Sequence, residues 1–298
     1  MKKIALLLPI LAGTCWGSAA LFIRALYDAG FDNVTITFSR QMVTSSTLAL
    51  YMLICNKKLF RISKSDIPVI VLISILGYFG LNLCFNYSAN MLSMSLASVL
   101  LCTAPVFVII FSKIIFGENI TKTKTLCMVA ALVGCTLLSG VFEDGGLKWS
   151  LFGIVMGVGS SICNAGYTMV TNQAVDVRGC HPTTVLFYAS SIAMILMIPM
   201  TDFGDIGGYL IEAPINHGLF YIAHASVTSL IPNLVFALAF RYVDSGNVSI
   251  LASGAEPTAA MILGLVFYNE VPTLLGVAGM IITITAMIIL TRNNKQIE

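Results

Sequence analysis

The chain has 298 residues, 57% of them hydrophobic and 10% charged, with a net charge of +2 and a mean hydropathy of +0.91. Soluble domains carry about 25% charged residues, so this composition excludes a soluble globular protein. It describes an integral membrane protein with little mass outside the bilayer, and the near-neutral balance gives nucleic acid nothing to bind.

A membrane-crossing helix needs about 20 mainly apolar residues. That rule predicts ten spans, at 4–27, 34–55, 67–89, 94–116, 123–141, 150–172, 183–200, 217–241, 246–268 and 273–291. The first imitates a signal peptide, but its apolar run continues to about Ile23 with no Ala-x-Ala site after it, so it is expected to be a retained span. Links are short. The longest, Thr201 to Asn216, carries Asp202, Asp205, Glu212 and a Gly-Gly pair. The eight cysteines form no Cys-x-x-Cys pair and lie mostly in apolar runs, so they read as small buried hydrophobes.

Polar residues inside the spans are the candidates for function, because membranes tolerate them only against a cavity or a partner. In span 1, Trp16 is too deep for an interfacial belt; it either walls a cavity or packs, and its N–H needs a partner. In span 2, Arg40 lies about 9 Å deep. It either meets a substrate carboxylate or an ion-pair partner, or snorkels outward. In span 3, Tyr78, Asn82, Asn86 and Asn90 recur every four residues and share one face. They are read as cavity lining, or as hydrogen-bonding glue between helices. Asn164, Thr168 and Asn172 make a second stripe in span 6, beside Tyr167. His217 and His224 share a face of span 8, and His224 is a candidate proton relay or a buried hydrogen-bonded ring.

Span 9 holds the residue that organises the rest. Glu256 is the single ionisable group within Val248 to Phe267 and stands directly before Pro257. Proline withholds an N–H and crowds the preceding turn, so a kink or break is expected there. Low dielectric disfavours the charged form of a carboxylate, which suits such a group to proton coupling or to binding an ammonium. The alternative is a fixed ion pair, with Arg40 as partner.

Twelve of the sixteen basic residues fall in links on the side of the N-terminus, whereas the opposite links are acidic. Positive residues face the cytoplasm, so both termini are expected there. The chain also repeats. Pro105 followed after twelve residues by Glu118 matches Pro257 and Glu270 at an offset of 152. Gly13-x-x-x-Gly17 matches Gly153-x-x-x-Gly157 at an offset of 140, which places extra residues in the second half, expected in the 201–216 link. Two units of five spans, an odd number, lie in opposite senses, the plan of alternating-access carriers.

These motifs resemble the EamA-type family of the drug/metabolite transporter superfamily: Trp16-Gly17, the block from Ser95 through Pro105 to Gly117-Glu118, its copy from Glu256-Pro257 to Asn269-Glu270, and Arg40. Asn269 departs from the family pattern, where glycine is common. The resemblance implies an all-α integral membrane protein of ten transmembrane helices, as two inverted five-helix repeats at 1–148 and 149–298 around a central cavity. No motif of an enzyme or nucleotide site occurs, and no cofactor or metal is expected.

The expectation is a secondary carrier of the inner membrane, exporting an amino acid or related zwitterion, proton-coupled or exchanging. Its partners are substrate, lipid and protons, with no nucleic acid, as monomer or homodimer. Substrate would meet Glu256, Arg40, Trp16, Tyr78, Asn82, Asn86, Asn164, Tyr167 and His224. Glu256 and His224 would carry the proton, Pro105 and Pro257 would be hinges, and Glu118 and Glu270 would be structural or gating. The rival readings are a membrane-embedded enzyme or lipid scramblase, whose polar groups would meet in a lipid-facing groove, and a non-transporting scaffold or sensor, whose polar groups would satisfy one another.

Overall fold

A computed structural model describes residues 5–92, 94–117, 120–139, 141–142, 150–269 and 271–293. Those residues form helices and turns with no strand. In order they are α1 (Leu7–Gly17, then Ala19–Asp28), α2 (Asn33–Cys55), α3 (Ile67–Met91), α4 (Met94–Leu101, then Ala104–Phe116), α5 (Lys122–Leu138), α6 (Leu151–Asn172), α7 (Pro182–Met197), α8 (Phe203–Glu212), α9 (Pro214–Ala239), α10 (Ser245–Tyr268) and α11 (Leu274–Asn293). Seven stretches, at α1, α3, α4, α7, α9, α10 and α11, are long and apolar enough to cross a membrane. The predicted spans match helices to within a few residues.

The other long helices are shorter or more polar, for visible reasons. α5 has 17 residues. α2 buries Thr35, Thr37, Ser39, Thr44 and Ser45. Three of these hydroxyls donate back into their own helix: Thr37 to Asn33 O at 2.8 Å, Ser39 to Ile36 O at 2.7 Å and Ser45 to Met42 O at 3.1 Å. A hydroxyl satisfied within its own turn lets a polar helix sit among apolar ones.

The chain packs as two halves that trade helices across their interface. α1 lies along α10 and α9, and α6 lies along α4 and α3; α2 packs on α7, and α5 on α11. The contacts need glycine. A Cβ at Gly13 would strike the Ala252 carbonyl, one at Gly17 the Glu256 carbonyl, and one at Gly157 the Leu100 side chain. Small residues at such points let membrane helices approach closely.

These contacts revise the repeat register. Leu100 corresponds to Ala252 at the 152-residue offset, so Gly13 is matched by Gly157, not Gly153. The left-handed glycines Gly30 and Gly179 then correspond, as do the cap residues Asp32 and His181 that follow them. The offset grows from 144 to 149 between α6 and α7, where a π-helical turn Gln173–Val177 lengthens the exit from α6, and from 149 to 152 between His181 and Ser226. That second stretch includes the 201–216 link, which holds α8, a helix the sequence reading missed. Asp202 Oδ1 caps α8 by accepting from Gly204 N at 2.8 Å, and Tyr209 stacks on His217 at 3.8 Å.

The two prolines behave differently. α4 is interrupted at Cys102-Thr103, just before Pro105. α10 runs through Pro257 as one helix, so of the expected kink or break there is no break. Proline removes the bond to the carbonyl four residues back, here that of Ser253, and the Cys135 thiol of α5 donates to it at 3.7 Å.

Candidate functional site

Between the halves lies a cavity of about 720 Å³, walled by α1 and α10 on one side and by α3, α4, α5 and α6 on the other. Small-molecule sites span about 300–1,000 Å³. Its floor is at the middle of the helices, where Trp16, Cys102, Asn164 and Glu256 meet. Its upper wall is made by residues at one end of the bundle, where α1 gives way to α2: Arg24, Tyr27, Asn33, Ser139 and Tyr268. Arg24, Tyr27 and Tyr268 are exposed, so the cavity opens at that end.

Glu256 is held there by close packing of α1. The bare faces of Gly13 and Gly17 bring α1 onto the Ala252 and Glu256 backbone, and Trp16 comes with them, packed at 5.1 Å on Phe236. Among the described residues Glu256 has no ion-pair or hydrogen-bond partner. A carboxylate facing a cavity without a fixed partner can take a proton or an ammonium group.

Three of the predicted site residues, Glu256, Trp16 and Asn164, line this cavity, together with the hinge candidate Pro257. The others do not. Arg40 is one turn below Thr37, to which its Nη2 donates at 3.3 Å, and its Nε is buried without a partner. His224 is fully buried, its ring stacked on Phe22 at 5.4 Å and both ring nitrogens without a partner. Asn82 and Asn86 line a separate crevice of about 10 Å³, room for about one water. Tyr78 and Tyr167 meet edge to face at 5.8 Å, and the Tyr167 hydroxyl donates to Asn233 Oδ1 at 3.0 Å. These contacts join α3, α6 and α9. Glu118 and Glu270 lie outside the described residues.

The sequence reading missed Arg24, Cys102, Cys135 and Tyr268. Arg24 was placed at a span edge, yet it stands eight residues from Trp16, a spacing that keeps both on one helix face. Its guanidinium sits 4.7 Å above the Tyr268 ring, and the Tyr268 hydroxyl donates to Leu21 O at 3.3 Å.

At the opposite end of the bundle, residues far apart in the chain are paired. Lys124 of α5 is buried and pairs with Asp244, the cap of α10. It fits because residue 246 is glycine; a Cβ there would overlap the lysine chain. Arg178 bonds Asp66 Oδ1 and Ser65 O, each at 3.0 Å. Thr184 and Tyr188 of α7 donate to Leu59 O at 2.9 Å and Phe60 O at 2.8 Å.

A helical membrane bundle with a cavity of this size beside a carboxylate can take up a small molecule. The profile of the EamA-like transporter family matches residues 3–140 and again 151–292, and the chain belongs to that family. It is 25% identical over 270 residues to the uncharacterized transporter YdfC of Bacillus subtilis, covering 90% of this chain and 85% of that one. It is 24% identical over 298 residues to the pseudopaline exporter CntI of Pseudomonas aeruginosa, covering 99% and 98%. A protein of Streptantibioticus cattleyicolor, named as a probable terminal-alkyne amino-acid exporter, is 21% identical over 290 residues, covering 95% and 92%. One crystal structure superposes over the whole of both chains with a TM-score of 0.79 at 15% identity, a likeness of fold alone.

Proposed function

We propose that this protein is a secondary carrier that exports a small dipolar metabolite across the inner membrane by alternating access, captured here open to the outside. Relatives named as exporters support the direction, and the basic links support a cytoplasmic N-terminus. The observation that carries the reading is the carboxylate Glu256, without a partner among the described residues, at the floor of a cavity open at one end, with ion pairs at the other.

In this reading α8 lies outside the membrane and the ten other helices span it, as two inverted units meeting near residues 148 and 149. Exchanging the units maps the pairing of α1 with α10 onto that of α6 with α4, and the pairing of α2 with α9 onto that of α7 with α3, which supports the symmetry. The π-helical turns Ser74–Gly80 and Ser226–Leu230 also correspond. Each is followed by an asparagine, Asn82 or Asn233, donating to the carbonyl four residues earlier, at 2.8 Å and 2.7 Å.

The step works as follows. Substrate or a proton neutralises Glu256, which then tolerates the loss of the outer water. The Lys124–Asp244 and Arg178–Asp66 pairs part, the halves rock, and the inner face opens. Flexure concentrates at the Pro105 break of α4, whereas continuous α10 moves as a rod carrying Glu256. His224 has no place in this route, and Glu256 alone carries the coupling. The central position of the cavity favours transport over lipid scrambling.

The test is pH-gradient-driven uptake of a labelled amino-acid panel into proteoliposomes. Wild-type uptake should follow the gradient, and Glu256→Gln should remove that dependence while leaving the protein folded. Unchanged pH dependence in Glu256→Gln contradicts the coupling.

A further inference from the structure

α8 has ten residues, Phe203–Glu212, half of the roughly 20 that a crossing needs. It folds back on the start of α9. Tyr209 and His217, eight residues apart, stack at 3.8 Å, whereas one straight helix would separate them by about 12 Å. With about 100° of turn per residue, its side chains fall into three rows. Ile206, Tyr209 and Leu210 face the bundle, in one apolar cluster with Phe31, Phe38 and Tyr221. Asp205, Gly208 and Glu212 make a second row, and all three are exposed. Phe203, Gly207 and Ile211 make the third, where Phe203 and Ile211 are exposed although apolar. A Cβ at Gly207 or Gly208 would meet nothing within 4 Å, so no described part of the chain covers the middle of either outer row.

The apolar row continues past both ends of α8. Ile211, 80% exposed, is followed by Ile215, 76% exposed, and then by Leu219 and Ile222 on one face of α9. Phe203 follows the exposed Ile195 and Ile198 at the end of the α7 span. Both α7 and α9 are long and apolar enough to cross the membrane, and an exposed apolar face on such a helix meets lipid. We infer that α8 lies flat in the membrane–water interface at the open end of the bundle, its Phe203–Ile211 edge in the lipid and its Asp205–Glu212 edge in water. The partner is the bilayer itself. Helices of this kind bury their apolar edge about 5–10 Å into the boundary between headgroups and acyl chains. The acidic outer row has no attraction for anionic lipid, so apolar burial seats the helix. Phe31, in the turn between α1 and α2, meets Tyr209 edge to face at 5.3 Å and Tyr221 at 5.9 Å, and Asp202 N donates to Thr35 Oγ1 at 3.1 Å. Tyr27 and Asn33, on either side of that turn, line the cavity. α8 therefore fastens the cavity mouth at headgroup level. This placement stands whether or not Glu256 couples transport.

The test is tryptophan fluorescence of the full chain in phosphatidylcholine nanodiscs, with Trp16→Phe and Trp149→Phe clearing the native signal. One tryptophan is then returned, as Ile211→Trp or as Glu212→Trp. Ile211→Trp should be shielded from aqueous iodide. Lipid with a nitroxide near the headgroup should quench it about twofold or more over lipid with a nitroxide at the acyl terminus, given the shallow depth of such helices. Glu212→Trp should be quenched by iodide and spared by both lipids. Ile211→Trp as open to iodide as Glu212→Trp overturns the inference and leaves α8 in free water. Quenching of Ile211→Trp strongest from the acyl terminus overturns it by placing α8 in the bilayer core. Shielding of Ile211→Trp from iodide and from both lipids overturns it by giving that edge to another protein surface, such as a second copy of the chain.

Discussion

Asn269 shows how a single position carries the repeat. Gly117 ends α4 with φ +67°, and Asn269 ends α10 with φ 54°, both left-handed. Asparagine is the residue that most readily replaces glycine in that conformation, so the departure from the family pattern conserves the backbone. Asn269→Gly should keep or raise thermal stability in detergent, and Asn269→Val should lower it by about 1–2 kcal/mol, the cost of a left-handed L-residue. Equal melting temperatures for the two variants would contradict the argument. At this scale the site was partly legible. An ionisable group beside proline in the centre of a span marks itself, and Trp16 and Asn164 followed from depth and spacing. Arg40, His224, Tyr78 and Tyr167 were polar and equally deep, yet they face neighbouring helices. Four-residue spacing shows that residues share a face but not what that face meets.

Helix ends followed from the lengths of the apolar runs to within a few residues, and capping side chains that the sequence reading did not use fix them. Asp32, Thr121, Ser150, His181, Asp202 and Asp244 each cap the helix that follows. Helix interiors were less legible. At Pro257, where a kink or break was expected, the helix is not broken, and the Cys135 thiol of another helix donates to the freed carbonyl of Ser253; α8 was masked by its glycines. His181 offers a pH test. Its Nδ1 accepts from Thr183 N at 3.3 Å, and burial, followed by the nearby Arg241 guanidinium, holds the imidazole below its ordinary value. The fold therefore favours the neutral ring. Its contribution is complete above about pH 6.5 and is lost as pH falls through the lower folded value. Hydrogen exchange of Thr183, corrected for intrinsic rates, should keep its protection above about pH 6.5 and lose it as pH falls further, through the lowered folded value. In His181→Asn, whose cap does not titrate, protection should hold. The same loss in both proteins would exclude the histidine as its cause.

At the scale of the whole molecule, the EamA-like profile matches twice, over residues 3–140 and 151–292, and α1 packs along α10 while α6 packs along α4 and α3. Sequence repeats and charge bias led to the inverted plan proposed above. They could not show which end is open, since that depends on contacts between residues such as Lys124 and Asp244, far apart in the chain. In the proposed outward-open state, those contacts seal the inside while Ala260, one turn above Glu256, lines the open side. The most direct test is labelling of Ala260→Cys by a membrane-impermeant maleimide, read by mass spectrometry at that cysteine, in right-side-out and inverted vesicles. The account predicts labelling from the outside alone, with slower labelling from outside and new labelling from inside once Asp244→Asn breaks the inner pair. Labelling from the inside without that change, or a pattern indifferent to Asp244→Asn, would contradict it.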